Sequence, residues 1–243
     1  MVDLAVIGAG PGGHAAALEA AHLGRKVLII EEGDWGGTCT HRGCIPTKAL
    51  LACSRRYQEL RNWRRLGITA EKVTFEFGAI KRHQNQMVKL SALGVRKSLE
   101  DLGVNCVDGK AAILAPGKVQ ISLPSGGTEH RNGENILIAW GSEVSPLSAI
   151  PFSARVIPSD TLLQMETLPA SLNVSGGGAI GIEFATFLTE VGVKVTLLEL
   201  MDQILPYEDP DIAAFLTGEL KKKGIEVHTA TKVRNVVETS SGV

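Results

Sequence analysis

Two cysteines with four residues between them lie in the run Gly36-Gly37-Thr38-Cys39-Thr40-His41-Arg42-Gly43-Cys44-Ile45-Pro46-Thr47-Lys48. A disulfide between them closes a very small loop, and by chain entropy it adds only ~2 kcal/mol of stability. A domain of this size has little need of such a staple. Cys44 is expected at a helix N-terminus, where the dipole favours a thiolate, and Arg42 and Lys48 bring positive charge nearby. A strained, accessible bridge beside thiolate-stabilising groups suits redox exchange better than it suits structure. The alternatives are two buried thiols or half of a metal site. No second Cys/His pair at ligand spacing accompanies them, which disfavours a metal. Cys53, about two turns into the following helix, and Cys106, in an expected strand, read as buried apolar residues.

A second chemical pattern occurs twice. A strand at residues 4–7 leads into Gly8-Ala9-Gly10-Pro11-Gly12-Gly13, an alanine-rich helix to about Leu23, a strand at 26–30 and Glu31. A strand at residues 172–175 leads into Gly176-Gly177-Gly178-Ala179-Ile180-Gly181, a helix to about Val191, a strand at 194–198 and Glu199. A lone glycine pattern is weak evidence of a nucleotide site; the required context is a strand before, a helix after and an acid about 20 residues on. Both copies meet it. Gly8 and Gly176 allow the tight turn, Gly10 and Gly178 clear the approach of a pyrophosphate, and Gly13 and Gly181 let helix pack on strand. The pyrophosphate then meets free N–H groups at the positive end of a helix. Glu31 and Glu199 end the second strands, where a carboxylate accepts from a ribose 2′-OH and repels a 2′-phosphate, so both sites favour FAD or NAD over NADP. The bland alternative is a βαβ unit that binds nothing. Strand alternation points the neighbouring Glu32 away, as a surface acid.

These groups must be positioned by a chain of 243 residues, 44% hydrophobic and 21% charged, with a net charge of −1. Nothing electrostatic suggests nucleic acid or a membrane surface as partner. No apolar run reaches the ~18 residues of a spanning helix. The first apolar stretch lacks a basic flank and runs into a glycine turn, so it reads as a strand and not as a signal peptide; a cytoplasmic location is the expectation. Between the glycine turns, helices are expected at residues 44–66 and 77–102, the latter with Phe77, Ile80, Met87, Leu90 and Leu99 on a helical period. Strands are expected at 105–107, 111–114, 118–123 and 135–139, with turns at Gly126-Gly127 and Asn132-Gly133. The Pro/Ser-rich stretch 144–158 is the linker candidate. The fold class is therefore α/β, with two Rossmann-like dinucleotide-binding domains at residues 1–145 and 146–243. The second is expected to be truncated, since the chain ends inside it at Thr239-Ser240-Ser241-Gly242-Val243.

Three runs carry a specific likeness: Gly36 to Leu51 around the cysteines, Gly176-Gly177-Gly178-Ala179-Ile180-Gly181-Ile182-Glu183-Phe184-Ala185, and Asp202-Gln203-Ile204-Leu205-Pro206. They resemble the pyridine nucleotide–disulfide oxidoreductase family, and the resemblance extends in order over essentially the whole chain. It implies FAD and NAD as cofactors. Gly8, Gly10, Gly13 and Glu31 would hold the ADP part of FAD; Gly37 and Thr38 would lie along its pyrophosphate and flavin. Ala111 would contact the adenine region through its backbone, and Gly141 and Ser142 would touch FAD where the chain leaves its domain. Cys39 would be the interchange thiol and Cys44 the thiol against the flavin. Lys48 would approach the flavin and pair with Glu183 beside the nicotinamide; on residue type alone, each reads equally as a solvated helix charge. Gly176, Gly178, Gly181, Glu183, Glu199 and Val233 would form the NAD site. Within the family the likeness is to members that pass two electrons from dihydrolipoamide through the disulfide and FAD to NAD. That implies, as partner, a 2-oxo acid dehydrogenase or glycine cleavage complex, and a homodimer in full-length form. Redox chemistry of this kind belongs to cofactor and disulfide; the protein positions them.

The chain also departs from the pattern. Where the family strand usually ends Ala-Thr-Gly-Ser, this one reads Ala139-Trp140-Gly141-Ser142, and an indole near the flavin is expected to crowd it. Asn173 and Ser175 occupy a parallel strand expected to be buried on both faces, where each polar side chain needs a partner. Thr40-His41-Arg42 replaces the usual Leu-Asn-Val in what reads as a loop, with His41 exposed. Family members are about twice as long, so the second FAD segment and the dimerisation domain with its His–Glu base are expected to be absent. His14 and Glu19 share that pair's spacing but lie on the first nucleotide helix, where chance is the better explanation. The competing readings are another family member, of the mercuric or glutathione reductase kind, and a flavin- or nucleotide-binding module without catalysis. The reductases place basic residues after the second NAD-domain strand, whereas Glu199-Leu200-Met201-Asp202 has none.

Overall fold

The computed structural model describes residues 1–69, 71–147, 150–240 and 242–243. In chain order the elements are β1 (Val2–Ile7), α1 (Pro11–His22), β2 (Val27–Glu31), α2 (Gly37–Arg42), α3 (Cys44–Asn62), a 3-10 turn (Trp63–Leu66) and α4 (Phe77–Glu100). There follow β3 (Asn105–Asp108), β4 (Lys110–Ala115), β5 (Lys118–Ser122), β6 (Thr128–Ile138), α5 (Ser159–Gln164) and β7 (Ser171–Ser175). The chain continues with α6 (Ala179–Glu190), β8 (Lys194–Leu198), α7 (Pro210–Lys222) and β9 (Glu226–His228). They form two compact units, Met1–Pro46 with Asn85–Glu143, and Thr47–Gln84 with Val144–Val243.

In the first unit the strand order is β3-β2-β1-β6-β5-β4. β1 pairs in parallel with β2 and β6, and β2 with β3. The continuous apolar runs of β1 and β2 follow from burial on both faces, because successive side chains point to opposite sides. Val6, Val27 and Ile29 pack with Ala17 of α1 and Leu99 of α4. Ala5, Ile7, Leu28 and Ile30 pack with Val119 and Ile121 of β5. Each such aliphatic side chain contributes ~1.5–3 kcal/mol when fully buried.

Strand β6 belongs to two ladders. Its first part, Thr128 to Asn132, pairs antiparallel with β5, and Gly133 to Ile138 pair in parallel with β1. Asn132-Gly133 is thus no turn. Gly133 sits where the strand changes partner, and a Cβ there would lie 3.1 Å from the Ala5 Cβ. Gly126-Gly127 does turn the chain between β5 and β6, with Leu123 N–H donating to Gly127 O at 3.1 Å.

The loop after β2 is pinned before it reaches the cysteines. Trp35 Nε1 donates to Asp108 Oδ1 at 2.6 Å. One nitrogen of Arg96 donates to both Asp108 oxygens, at 3.1 and 3.0 Å, and its guanidinium lies 5.0 Å from the Trp35 ring centroid. The Trp35 N–H, followed by Arg96, holds the Asp108 carboxyl below its usual range.

In the second unit β7-β8-β9 form a parallel sheet with β7 at an edge. Asn173 and Ser175 lie on its exposed side, while Leu172 and Val174 pack on the core. The expectation of burial on both faces therefore fails at β7, and the polar residues need no protein partner. The core joins Leu50 of α3, Phe184 and Phe187 of α6, Leu197 of β8 and Leu220 of α7. Helix α7 starts where Asp209 Oδ1 accepts from Asp211 N–H at 2.9 Å, with Pro210 in the first helical turn. Residues 144–158 hold no helix or strand among those described, apart from a bridge between Leu147 and Ile150. Ser148 and Ala149 of this linker stretch, and Ser241 of the terminal run, lie outside the described residues. No helix among the described residues is long and apolar enough to cross a membrane.

Candidate functional site: two glycine turns and a cysteine pair

The two glycine turns share the same backbone and carboxylate hydrogen bonds. Gly8 has φ +100° and Gly176 φ +113°, the left-handed region that a side chain resists. Gly8 N–H donates to Ile30 O and Gly176 N–H to Leu198 O, both at 2.8 Å. Glu31 Oε2 accepts from Ala9 N–H at 2.6 Å and Oε1 from Gly33 N–H at 2.8 Å. Glu199 Oε2 accepts from Gly177 N–H at 2.6 Å and Oε1 from Met201 N–H at 2.7 Å. An ionised carboxylate has about four acceptor sites, so each acid is oriented by its turn and keeps capacity for a ribose hydroxyl.

Helix meets strand at Gly13 and Gly181. A Cβ on Gly13 would lie 1.9 Å from Gly8 O, and one on Gly181 2.0 Å from Gly176 O. Gly10 and Gly178 differ in kind. Their backbones are ordinary, φ −66° and −76°, and a Cβ on either would meet nothing within 4 Å. The chain itself does not require glycine there. Open space next to the N-termini of α1 and α6, where N–H groups and dipole favour an anion, fits a pyrophosphate. The residues present thus fit a dinucleotide at each turn.

The cysteines are built onto the first turn. Gly36 N–H donates to Ala9 O at 3.1 Å, and a Cβ on Gly37 would lie 3.0 Å from Gly10 Cα. Thr40-His41-Arg42, expected as loop, lie in α2. Gly43 caps α2, and a Cβ on it would lie 3.4 Å from Cys39 Cα, one turn back. Cys39 and Cys44 accordingly lie near each other, Cys39 half-buried and Cys44 exposed, both as thiols. Cys44 opens α3, the helix start anticipated for it. Cys53 and Cys106 lack this setting. Burial pushes the Cys53 thiol up, and burial, helped by Glu100, pushes Cys106 to about 11. His41 is not simply exposed: its Nε2 donates to Trp35 O at 3.0 Å. His14 Nε2 bonds Ser98 Oγ at 2.9 Å, which supports no catalytic pairing with Glu19.

Lys48 and Glu183 meet in the second unit, with Nζ 2.7 Å from Oε1 and 2.9 Å from Oε2. Both remain partly exposed, and such a pair adds only ~0–1 kcal/mol to stability.

Residues 2–243 match the family model described as pyridine nucleotide-disulphide oxidoreductase. The chain belongs to the pyridine nucleotide-disulphide oxidoreductase family. Members of this family bind FAD and NAD. The chain is 37% identical over 243 residues to dihydrolipoyl dehydrogenase of Chlorobaculum tepidum, covering 99% of this chain and 52% of that protein. It is 39% identical over 238 residues to the dihydrolipoyl dehydrogenase of Geobacillus stearothermophilus, covering 98% and 50%. Among solved structures, LpdA from Mycobacterium tuberculosis superposes with a TM-score of 0.87 at 28% identity, over 99% of this chain and 54% of that one. The HOCl-induced flavoprotein disulfide reductase RclA of Escherichia coli, in a Cu(II) complex, gives 0.79 at 27% identity, over 98% and 51%. The chain spans about half the length of the curated relatives it matches.

The remaining residues suggested by the family resemblance are spread over both units. In the first, Thr38 is exposed on α2, Ala111 is half-buried in β4 opposite Ile121, and Gly141 and Ser142 are exposed beyond β6. Val233 of the second is half-buried in the irregular segment after β9. Trp140 is 66% exposed just beyond β6. Sequence reasoning missed Trp35 and Asp108, which pin the loop leading to the cysteines. Their partnership spans 73 residues and leaves no local signal.

Proposed function

We propose that this chain carries the flavin, disulfide and NAD elements of a dihydrolipoyl dehydrogenase. Residues 1–145 would serve FAD and residues 146–243 NAD. The observation that carries this reading is the anchoring of α2 on the first glycine turn, through Gly36 N–H to Ala9 O at 3.1 Å. A dinucleotide seated on that turn lies next to the segment bearing Cys39.

In the oxidised state, a thiolate of dihydrolipoamide attacks Cys39 Sγ. The Cys39–Cys44 bond breaks, and Cys44, the first residue of α3, leaves as a thiolate. The second substrate thiol then attacks the mixed disulfide, releasing lipoamide and the Cys39 thiol; the pair has gained two electrons. Bound FAD would supply the route by which the dithiol's two electrons reach NAD, with Cys39 and Cys44 returning to the disulfide. Gly8, Gly10, Gly13 and Glu31 would hold the ADP part of FAD, with Gly37, Thr38, Ala111, Gly141 and Ser142 along the rest. Gly176, Gly178, Gly181, Glu199 and Val233 bind NAD. Lys48, paired with Glu183 at 2.7 Å, would serve the flavin and Glu183 the nicotinamide. Glu199, followed by Leu200-Met201-Asp202 without a basic residue, favours NAD over NADP. The substrate arrives on the lipoyl carrier of a 2-oxo acid dehydrogenase or glycine cleavage complex, and the working protein is a homodimer.

Anaerobic addition of dihydrolipoamide to the FAD-loaded chain tests this. The yellow flavin band is expected to bleach in the natural sequence and to persist in Cys39→Ser. Bleaching at the same rate in Cys39→Ser would overturn the assignment.

A further inference from the structure

Glu190 is a buried acid at the end of α6, 8% exposed, with no part in the proposed chemistry. A carboxylate taken out of water is costly unless its oxygens are paired and hydrogen-bonded, and here both are. Ser54 Oγ, fully buried on α3, donates to Oε2 at 2.6 Å. Lys223, just past α7, donates from Nζ to Oε1 at 2.6 Å. Gln58 Nε2, one turn beyond Ser54 on α3, donates to the Glu190 backbone carbonyl. One residue thus ties α3 to α6 and draws its countercharge from the end of α7.

The same two helices carry the Lys48–Glu183 pair. From Glu183 to Glu190 along α6 is seven residues, about 10 Å of helix rise, and from Lys48 to Ser54 along α3 is six, about 9 Å. The two rungs match in spacing and run in the same order along both helices. A slip of α3 by one residue or a rotation about its axis breaks the buried rung, because a short serine hydroxyl has no reach to spare. Lys48 and Glu183 sit at the more exposed rung and have long side chains, so their own contact cannot define the register.

We infer that Glu190 is a positioning residue for Lys48: it fixes the register of α3 on α6 so that the Lys48 ammonium stays on Glu183. The functional meaning rests on the reading of Lys48 given above, but the test does not need bound cofactor. Lysines of the whole chain are acylated with a water-soluble active ester under limiting conditions, and rates are read for each site by peptide mass spectrometry. An amine held in a carboxylate contact acylates more slowly than the same amine released. Glu183→Gln sets the rate for released Lys48. In Glu190→Gln and in the milder Ser54→Ala, Lys48 is expected to react about threefold faster, the scale of a partly exposed ion pair. Lys81 serves as the control for general loosening, since it is half-buried and bonded to Gln84 Oε1 and Leu163 O in the same unit. Its rate is expected to stay unchanged. An unchanged Lys48 rate in both variants would overturn the inference, and so would a parallel rise at Lys81, which marks Glu190 as a plain stability residue. Failure of flavin bleaching, by contrast, would overturn the proposed reaction and leave this result untouched.

Discussion

Gly13→Ala is expected to lower the thermal midpoint of the first unit by ~12–24 °C, reading about 3 kcal/mol at ~4–8 °C per kcal/mol for a unit of about 100 residues. The added Cβ would lie 1.9 Å from Gly8 O and 3.1 Å from Val6 Cγ1. Overpacking costs ~1–3 kcal/mol where side chains can shift, but here the obstacle is a backbone carbonyl. That carbonyl belongs to a turn already at φ +100°, and its own residue cannot retreat, since a Cβ there would lie 2.3 Å from Ala139 O. Helix α1 must therefore move off β1, and burial of Ala17 against Val6 and Ile29 is lost with it. Gly12→Ala is the control. It lies on the same helix with nothing within 4 Å of the added atom, and an alanine in a helix gains ~0.5–1 kcal/mol over glycine. Equal melting of the two variants by circular dichroism would show that helix and strand are not in close contact. Gly181→Ala, 2.0 Å from Gly176 O, is expected to do the same to the second unit.

Gly10→Ala is expected to separate binding from folding. Its φ of −66° and ψ of −179° suit alanine, and the added methyl meets no protein atom within 4 Å. Stability should hold or rise by ~0.4–1 kcal/mol, because alanine narrows the unfolded ensemble. The methyl does, however, fill the space over the α1 N-terminus that a pyrophosphate needs. FAD affinity, read by quenching of flavin fluorescence, is expected to fall at least ~100-fold, about 2.8 kcal/mol. An unchanged affinity would remove the pyrophosphate from this turn. With those outcomes the two variants would divide the glycines by cause, Gly13 by the protein's own packing and Gly10 by its ligand.

Much of this was legible in the sequence because it is local. The runs Leu4 to Ile7 and Val27 to Ile30 announce strands covered on both faces, and the clusters on either side of β1 and β2 match that reading. Gly13 and Gly181 were readable because each answers to a carbonyl five residues away, whereas Gly10 and Gly178 meet no protein atom within 4 Å. The start of α3 at Cys44 was equally local. What escaped depends on distant partners. Asn132-Gly133 has turn chemistry, yet it lies inside β6, because pairing with β5 on one side and β1 on the other outweighs local preference. Asn173 and Ser175 were misjudged because the exposure of β7 is a property of the sheet, not of the strand. Helix α2 is too short for a period to emerge from Thr40-His41-Arg42. The Asp209-Pro210 start of α7 is local, a capping acid followed by proline at the first helical position. The contacts of Trp35 with Asp108 and of Ser54 with Glu190 join residues 73 and 136 positions apart, and no window along the chain contains both partners.

The most direct test of the central claim is a crystal structure of this chain with FAD bound. The pyrophosphate is predicted over Gly10 and the first N–H groups of α1, a ribose hydroxyl on Glu31, and the isoalloxazine ring in van der Waals contact with Cys44 Sγ. FAD bound elsewhere, or bound on the first turn with its ring remote from both Cys39 and Cys44, would contradict the account.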